Sequence, residues 1–135
     1  MLMPQHKLRN RFTLPNELYM LKLSPGAIAV YSYLLCIENR ETHQCYPGYK
    51  TIGDRIGCRS VNTVKKYVTE LEEKALIATE HRTRTMPDGQ IQNSTLLYTI
   101  RPIQEAVDLY NERQMAQLEL DAARANMVKK LGSAV

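Results

Sequence analysis

YPGYKTIGDRIGCRSVNTVKKYVTELEEKALI, residues 46–77, contains two helix patterns separated by a short turn. In the first pattern, Tyr49, Ile52 and Ile56 recur at spacings of three and four, the period of one helix face. Gly57 follows at once, and glycine tolerates the left-handed backbone conformation that often ends a helix. The sequence therefore predicts a short helix that stops at Gly57.

The second pattern begins after Ser60, whose hydroxyl can accept a hydrogen bond from a free N–H of the first helical turn. One face of this helix is apolar: Val61, Val64, Val68 and Leu71. The opposite face is polar and cationic: Asn62, Lys65, Lys66 and Thr69. Two helices joined by a tight turn, the second apolar inside and cationic outside, are typical of a helix-turn-helix.

The composition permits a single globular domain with appendages that binds a polyanion. The chain has 135 residues, a formal charge of +4 and 44% apolar residues, with a pI near 9.0. The positive excess lies in residues 1–23, with four basic and one acidic side chain, and in residues 48–76, with six and four. The sequence has no apolar run near 18 residues and no signal-peptide core, so we expect a cytoplasmic protein without a membrane span.

The segments before residue 46 predict an arm and a central helix. Residues 1–12 are read as a basic N-terminal arm, either a disordered terminus or an arm that touches DNA. Thr13 is a candidate cap for a short helix that follows. Ser24-Pro25 is a strong helix start, and the run GAIAVYSYLLCIENR after it is apolar on nearly every side. In that helix Cys36 is expected to be a small buried hydrophobe.

The segment after the helix pair predicts a β-hairpin, which in such domains is called the wing. ATEHRTRT, residues 78–85, is rich in Thr and Arg, and QIQNSTLLYTI, residues 90–100, is a second strand-like run. Met86-Pro87-Asp88-Gly89 between them is a turn signal. Glu80, Arg82 and Arg84 are expected to share one face of the first strand.

A long helix pattern closes the chain, from Ile103 to Leu131 after Pro102. A helix of that length would reach about 40 Å, at 1.5 Å per residue, which is more than a small winged domain can cover. Part of its apolar surface therefore needs another partner, and self-association is the favoured one. We expect a homodimer formed through this helix.

Four stretches carry a family resemblance: SPGAIAVYSYLL, CYPGYKTIGDRIG, NTVKKYVTELEEKALI and NSTLLYTI. Over residues 12–101 the chain resembles the winged helix-turn-helix domains of bacterial plasmid and mobile-element replication initiators and of phage replication proteins. It departs from their pattern at Gly48, where Ser is usual, at Ala75, where Gly is usual, and by one extra residue in the turn. The extra residue leaves open which of Arg59, Ser60 and Asn62 faces the DNA groove.

The predicted fold class is α+β, mostly helical: a winged helix-turn-helix with a two-stranded wing and a long C-terminal helix. Its expected parts are the arm 1–12, the DNA-binding domain 13–101 and the C-terminal helix 102–135. Candidate DNA-binding residues on the helix pair are Lys50, Arg59, Ser60, Asn62, Thr63, Lys65, Lys66 and Thr69. Those on the wing are Arg82 and Arg84.

These residue types suit the two kinds of DNA contact. Asn62 could pair with adenine, and Lys65 or Lys66 could reach guanine or phosphate in the major groove. Lys50 and Arg59 suit backbone phosphates, which position a protein without specifying sequence. Arg82 and Arg84 could enter the minor groove. The alternative is that these cations form a solvated surface.

The sequence predicts sequence-specific binding of double-stranded DNA by a replication-initiator-like or accessory protein of a mobile element. A transcriptional regulator, of the GntR type or another winged repressor, is the alternative. A winged domain that makes only protein contacts is the second alternative. No enzymatic activity, catalytic residue, cofactor or metal site is expected. The histidines are scattered and no Cys-x-x-Cys or phosphate-binding glycine loop occurs.

Overall fold

The computed structural model describes residues 11–133, and the predicted basic arm lies outside this range except for its last two residues. The helices are a 3₁₀ helix η1 (Asn16–Leu21) and α1 (Pro25–Ile37), α2 (Tyr49–Ile56), α3 (Val61–Glu73) and α4 (Ile103–Ser133). The strands are β1 (Gln44–Cys45), β2 (Ile77–Glu80), β3 (Thr83–Thr85), β4 (Ile91–Asn93) and β5 (Leu97–Ile100). This arrangement confirms the predicted winged helix-turn-helix with a long C-terminal helix.

Helix α1 is the central helix of the domain, as its apolar sequence indicates. It begins at Pro25, and the Ser24 hydroxyl oxygen accepts a hydrogen bond from the Ala27 N–H at 3.3 Å. The buried side chains Val30, Tyr31 and Leu34 project from it into the core. Helices α2 and α3 both pack on α1, so α1 supports the helix-turn-helix from behind.

Local signals set the turn between α2 and α3. Gly57 ends α2 at φ 78°, and the Cys58 N–H closes the turn by donating to the Gly53 carbonyl oxygen at 2.8 Å. The Ser60 hydroxyl caps α3 by accepting from the Thr63 N–H at 3.3 Å. The turn therefore ends one helix and starts the next within four residues, as the sequence predicts.

The apolar face of α3 is buried from its second turn onward. Val64, Val68 and Leu71 are at most 1% exposed. Val61 lies on the same side of the helix but is 46% exposed, so the expectation that this side faces the interior is wrong at Val61. It is the first residue of α3 and lies before the helix meets the core.

Two glycines allow the three helices to approach closely. A Cβ on Gly53 would lie 2.4 Å from the Cys58 carbonyl oxygen, and one on Gly26 would lie 2.0 Å from the Tyr67 ring. Side-chain carbons do not occur at such distances, so a side chain at either position would force a neighbour to shift. Gly53 faces backbone, which cannot yield, whereas Gly26 faces the outer end of a tyrosine ring.

Helix α3 ends in a left-handed residue that is not glycine. Ala75 has φ 60°, its N–H donates to the Glu72 carbonyl oxygen, and the Leu76 N–H donates to the Leu71 carbonyl oxygen. This bonding is that of a Schellman motif, in which glycine is preferred because Cβ is unfavourable at positive φ. The backbone geometry thus accounts for the glycine that is usual at this position.

The hairpin predicted as the wing has a wide base and a separate tip. At the base β5 pairs antiparallel with both β2 and β1, giving the sheet order β1-β5-β2. At the tip β3 pairs antiparallel with β4, with Thr83 opposite Asn93. Strand β1 lies in residues 41–48, which we expected to be only a polar connection. Its two residues are strand because β5 supplies their hydrogen-bonding partners.

Helix α4 leaves the domain after two turns. Its first turns pack on η1, and Ala106 is buried while Tyr110 is half-buried. From residue 111 to residue 132 every side chain is exposed. About 34 Å of helix therefore extends beyond the domain, at 1.5 Å per residue.

Two further expectations are wrong. Thr13 caps no helix: η1 begins after Pro15, and no side chain caps it. Cys36 is exposed, because it lies on the side of α1 away from Tyr31 and Leu34. Cys45 of β1 is the buried cysteine instead, and burial, reinforced by the charge of Glu38, raises the pKa of its thiol to about 12.

Candidate nucleic-acid interface

The outer face of α3 gathers the predicted major-groove residues. Asn62, Lys65, Lys66 and Thr69 are all exposed and line one shallow depression on the helix surface. Their spacing of three, one and three residues places them on neighbouring turns of one face. The buried valines on the opposite side hold this face outward. The structure therefore brings these four predicted residues together; we call them the α3 face.

Ser60 and Thr63 at the start of α3 are partly committed to the helix cap. The Ser60 hydroxyl oxygen accepts from the Thr63 N–H, which leaves the hydroxyl hydrogen of Ser60 for a phosphate oxygen. Ser60 is exposed, whereas Thr63 is half-buried. Ser60 thus retains donor capacity at the helix start, and Thr63 is less accessible than the α3 face.

The hydroxyl of Thr69 is restricted by its own helix. Its Oγ1 donates to the Lys65 carbonyl oxygen at 2.9 Å. With its only hydrogen engaged, the hydroxyl can accept a hydrogen bond but cannot donate one. In this conformation Thr69 suits a base donor, such as an amino group, better than a phosphate oxygen.

Lys50 and Arg59 lie near the starts of α2 and α3, respectively. Lys50 is in the first turn of α2, and Arg59 is in the turn directly before the Ser60 cap; both are exposed. Neither belongs to the α3 face. Their positions beside the helix starts are compatible with the predicted phosphate contacts.

A groove of about 510 Å³ separates α3 from the wing. Cationic or titratable side chains on its walls are Lys65 of α3 and His81 and Arg84 of the wing. Tyr49 and Tyr98 lie on its floor, and desolvation by burial raises the pKa of both phenols. The phenols stay neutral, and the charged side chains of the lining are Lys65 and Arg84. Such a groove suits an anionic group.

The two wing arginines have different environments. The Arg82 guanidinium lies over the Tyr46 ring, 4.9 Å from its centroid, which is cation–π geometry. Arg84 lies further along the hairpin and lines the groove. From the sequence, the two arginines were expected to play the same part, and Tyr46 was not expected to contact either. The contact could not be predicted because Tyr46, in the β1–α2 connection, is far from the wing in sequence and meets it only in the folded protein. Arg82 therefore stacks on the connection before α2, whereas Arg84 faces the groove between α3 and the wing.

A carboxylate fixes α3 to the central helix. Glu70 accepts two hydrogen bonds from Ser24, one from its N–H and one from its hydroxyl, both at 2.8 Å. The contact places a negative charge at the positive end of the α1 dipole. Sequence reasoning missed it, because the two residues are 46 positions apart. Glu72, in the last turn of α3, accepts a hydrogen bond from the Thr79 hydroxyl at 2.9 Å.

Other kinds of site find little support in residues 11–133. No group of three His, Cys, Asp or Glu side chains in this range could hold a metal ion. No helix in the same range is long and apolar enough to cross a membrane. Within the described residues, the exposed cationic surface of α3 and the wing is therefore the candidate functional site.

A comparison with known protein families identifies the part of the chain that contains α2 and α3. Residues 21–77 match a family model described as a helix-turn-helix domain. They comprise α1, α2 and α3 up to the first residue of β2. A solved structure, described as a possible transcriptional regulator from Methanosarcina mazei Go1, is also similar. It is 16% identical over 77% of this chain and 80% of that chain, with a TM-score of 0.49. No curated protein sequence matches.

Proposed function

We propose that this protein binds double-stranded DNA at specific sites, with α3 in the major groove and the wing beside it. The observation that carries the proposal is the α3 face, in which four polar or cationic residues are exposed on one side of the helix. Ser60 caps this helix, and its opposite side is buried in the core. The match of residues 21–77 to helix-turn-helix domains supports DNA binding independently of that geometry.

The residues of the α3 face and those around it have different roles. Asn62 is the base-reading residue, since its amide can donate to and accept from adenine. Lys65 and Lys66 contact guanine or phosphate. Contacts to the phosphates of the DNA backbone, near the helix starts, come from Lys50, Arg59 and Ser60. Arg84 reaches the flanking backbone or minor groove, and Arg82 stiffens the wing through Tyr46.

The target class we infer is the replication-origin DNA of a plasmid or another mobile element. The support is the resemblance of residues 12–101 to replication-initiator domains. A transcriptional regulator would use the same interface on promoter DNA. Footprinting on the DNA that surrounds the gene separates the two roles: protection of repeated sites at an origin supports the first, and protection of a promoter supports the second.

Salt-dependent fluorescence anisotropy with a random duplex of about 30 base pairs tests the interface. The variant Lys65→Ala with Lys66→Ala should weaken binding and reduce the salt slope by up to about two, at roughly 0.9 per lost phosphate contact. Arg124→Ala with Lys129→Ala removes the same charge from the protruding part of α4 and serves as the matched control. The control should retain the slope of the parent protein.

Three outcomes would contradict the proposal. Equal losses in the two variants would mean that charge alone attracts DNA. An unchanged slope in the lysine variant would place the DNA elsewhere. Absence of binding at low salt would favour a domain that makes only protein contacts. Base reading is tested separately: after selection of a preferred site, Asn62→Ala should relax the preference at one position and cost about 1–3 kcal/mol there.

A further inference from the structure

The protruding part of α4, residues 111–133, carries an apolar stripe with a size pattern. At alternating intervals of four and three residues it presents Ala116, Leu120, Ala123 and Met127. Leu120 is 47% exposed and Met127 is 66% exposed. Alternation of three and four is the seam of a coiled coil, and here small and large residues alternate along it. We call these four residues the α4 seam.

We infer that the α4 seam pairs with the same seam of a second copy of this chain, with the two helices antiparallel. Pairing Leu120 of one copy with Ala123 of the other also pairs Ala116 with Met127. Every layer then has one large and one small residue, so the layers fill evenly. In a parallel pair, layers of two alanines would alternate with layers of two large residues, which packs poorly at one helix separation.

The charges of the protruding segment favour the same direction. Residues 111–121 carry three acidic and one basic side chain, and residues 122–133 carry three basic and no acidic side chains. Antiparallel pairing sets the acidic part of each copy beside the basic part of the other, whereas parallel pairing sets like beside like. The helix dipoles also oppose each other favourably in the antiparallel pair.

The domain leaves room for this partner. At 100° per residue, the α4 seam lies more than a third of a turn around the helix from Ile103, Val107 and Tyr110, which face the domain. The partner helix therefore lies beside the domain and does not compete with η1. Pairing also adds packing to the protruding helix, since helices in proteins take most of their stability from the burial of an apolar face.

The pairing would set the distance between two winged domains. With Leu120 opposite Ala123, residue 110 of one copy is level with residue 133 of the other. The points where the helices leave the two domains are then about 34 Å apart, at 1.5 Å per residue. The pairing itself does not rest on the proposed DNA binding.

Self-association of the full chain without DNA, measured by sedimentation equilibrium, tests the seam. Leu120→Gln should raise the dimer Kd at least about tenfold, since each dimer loses two buried leucines. Leu118→Gln is the matched control, with the same substitution two residues away on a different side of the helix, and it should leave Kd unchanged. A monomer at high micromolar concentration would overturn the proposal.

The control also tests which stripe pairs. Met115, Leu118, Ala122 and Ala125 form a second, shorter apolar stripe on α4. Loss of dimer with Leu118→Gln, and not with Leu120→Gln, would overturn the register. Because the measurement omits DNA, a failure of the DNA-binding proposal leaves its result intact.

Disulfide trapping tests the direction of the helices. In a background with Cys36→Ser and Cys58→Ser, chains with Ala116→Cys and chains with Met127→Cys are mixed and oxidised. Antiparallel pairing predicts the mixed disulfide between the two variants and little of either homodimer, because identical positions would lie about 16 Å apart along the axis. A Met127→Cys homodimer in place of the mixed species would show a parallel pair and overturn the inference.

Discussion

Helix α1 and the protruding part of α4 are both rich in apolar residues, yet only the first is core. In α1 the side chains Val30, Tyr31 and Leu34 are at most 1% exposed, whereas Leu118, Met127 and Leu131 of α4 are more than 60% exposed. The difference arises from the surroundings of each helix, because α1 is flanked by α2, α3 and the sheet, whereas the protruding part of α4 extends beyond the domain. An apolar pattern therefore shows which face a helix would bury, and the rest of the fold decides whether anything covers it.

The largest expected effect comes from truncating a leucine in each region. Leu71→Ala should lower the free energy of unfolding by about 2–5 kcal/mol, because Leu71 of α3 is fully buried and its loss leaves a cavity. Leu118→Ala should change it by less than about 0.5 kcal/mol, since Leu118 is 62% exposed. Urea denaturation followed by near-UV circular dichroism measures both. Similar losses in the two variants would mean that α4 is covered by the domain.

Replacing a glycine by alanine should likewise destabilise the domain and leave the protruding helix undisturbed. Gly53→Ala should cost about 1–3 kcal/mol, because the new Cβ would meet the Cys58 carbonyl oxygen in the helix-turn-helix. Gly132→Ala has no atom within 4 Å of its new Cβ and should increase the helicity of α4. Thermal unfolding and far-UV circular dichroism check the pair. A Gly53→Ala protein as stable as the parent would contradict the close approach at the turn.

The smallest expected effect comes from replacing an alanine by glycine in each region, which should stabilise one region and destabilise the other. Ala75→Gly should stabilise the domain by up to about 1 kcal/mol, since Ala75 has φ 60° and glycine relieves the cost of that conformation. Ala122→Gly in the protruding helix should instead reduce far-UV helicity, because glycine is about 1 kcal/mol worse than alanine there. Chemical denaturation measures the first change. Destabilisation by Ala75→Gly would mean that the methyl group makes a contact worth more than the strain.

The sequence predicted the features that depend on neighbouring residues. Ser24 and Ser60 cap their helices, and Gly57 ends α2, because each acts on backbone groups within a few positions. The periodicity of α3 likewise predicted Val64, Val68 and Leu71 as core. These signals are local, so one stretch of chain contains both the cause and the effect.

Features that join distant segments were not predictable. Strand β1 exists because β5 pairs with it, although its own residues have no strand pattern. The contact of Arg82 with Tyr46 and the bonds of Glu70 to Ser24 cross 36 and 46 positions. Val61 and Cys36 were misjudged because the edge of a core depends on the neighbouring elements. For the candidate site, the sequence predicted which residues share the α3 face but not how the wing arginines differ.

The order of charges along α3 affects the direction in which this helix could lie in a DNA groove. Lys65 and Lys66 lie in its middle, and Glu70, Glu72 and Glu73 lie in its last turn, where the helix dipole favours cations. The hydrogen bonds from Ser24 and Thr79 offset part of that cost. On the proposed interface the three carboxylates would repel phosphates, which disfavours entry of α3 into a groove in the reverse direction. The helix thereby selects one docking polarity by repulsion as well as by contact.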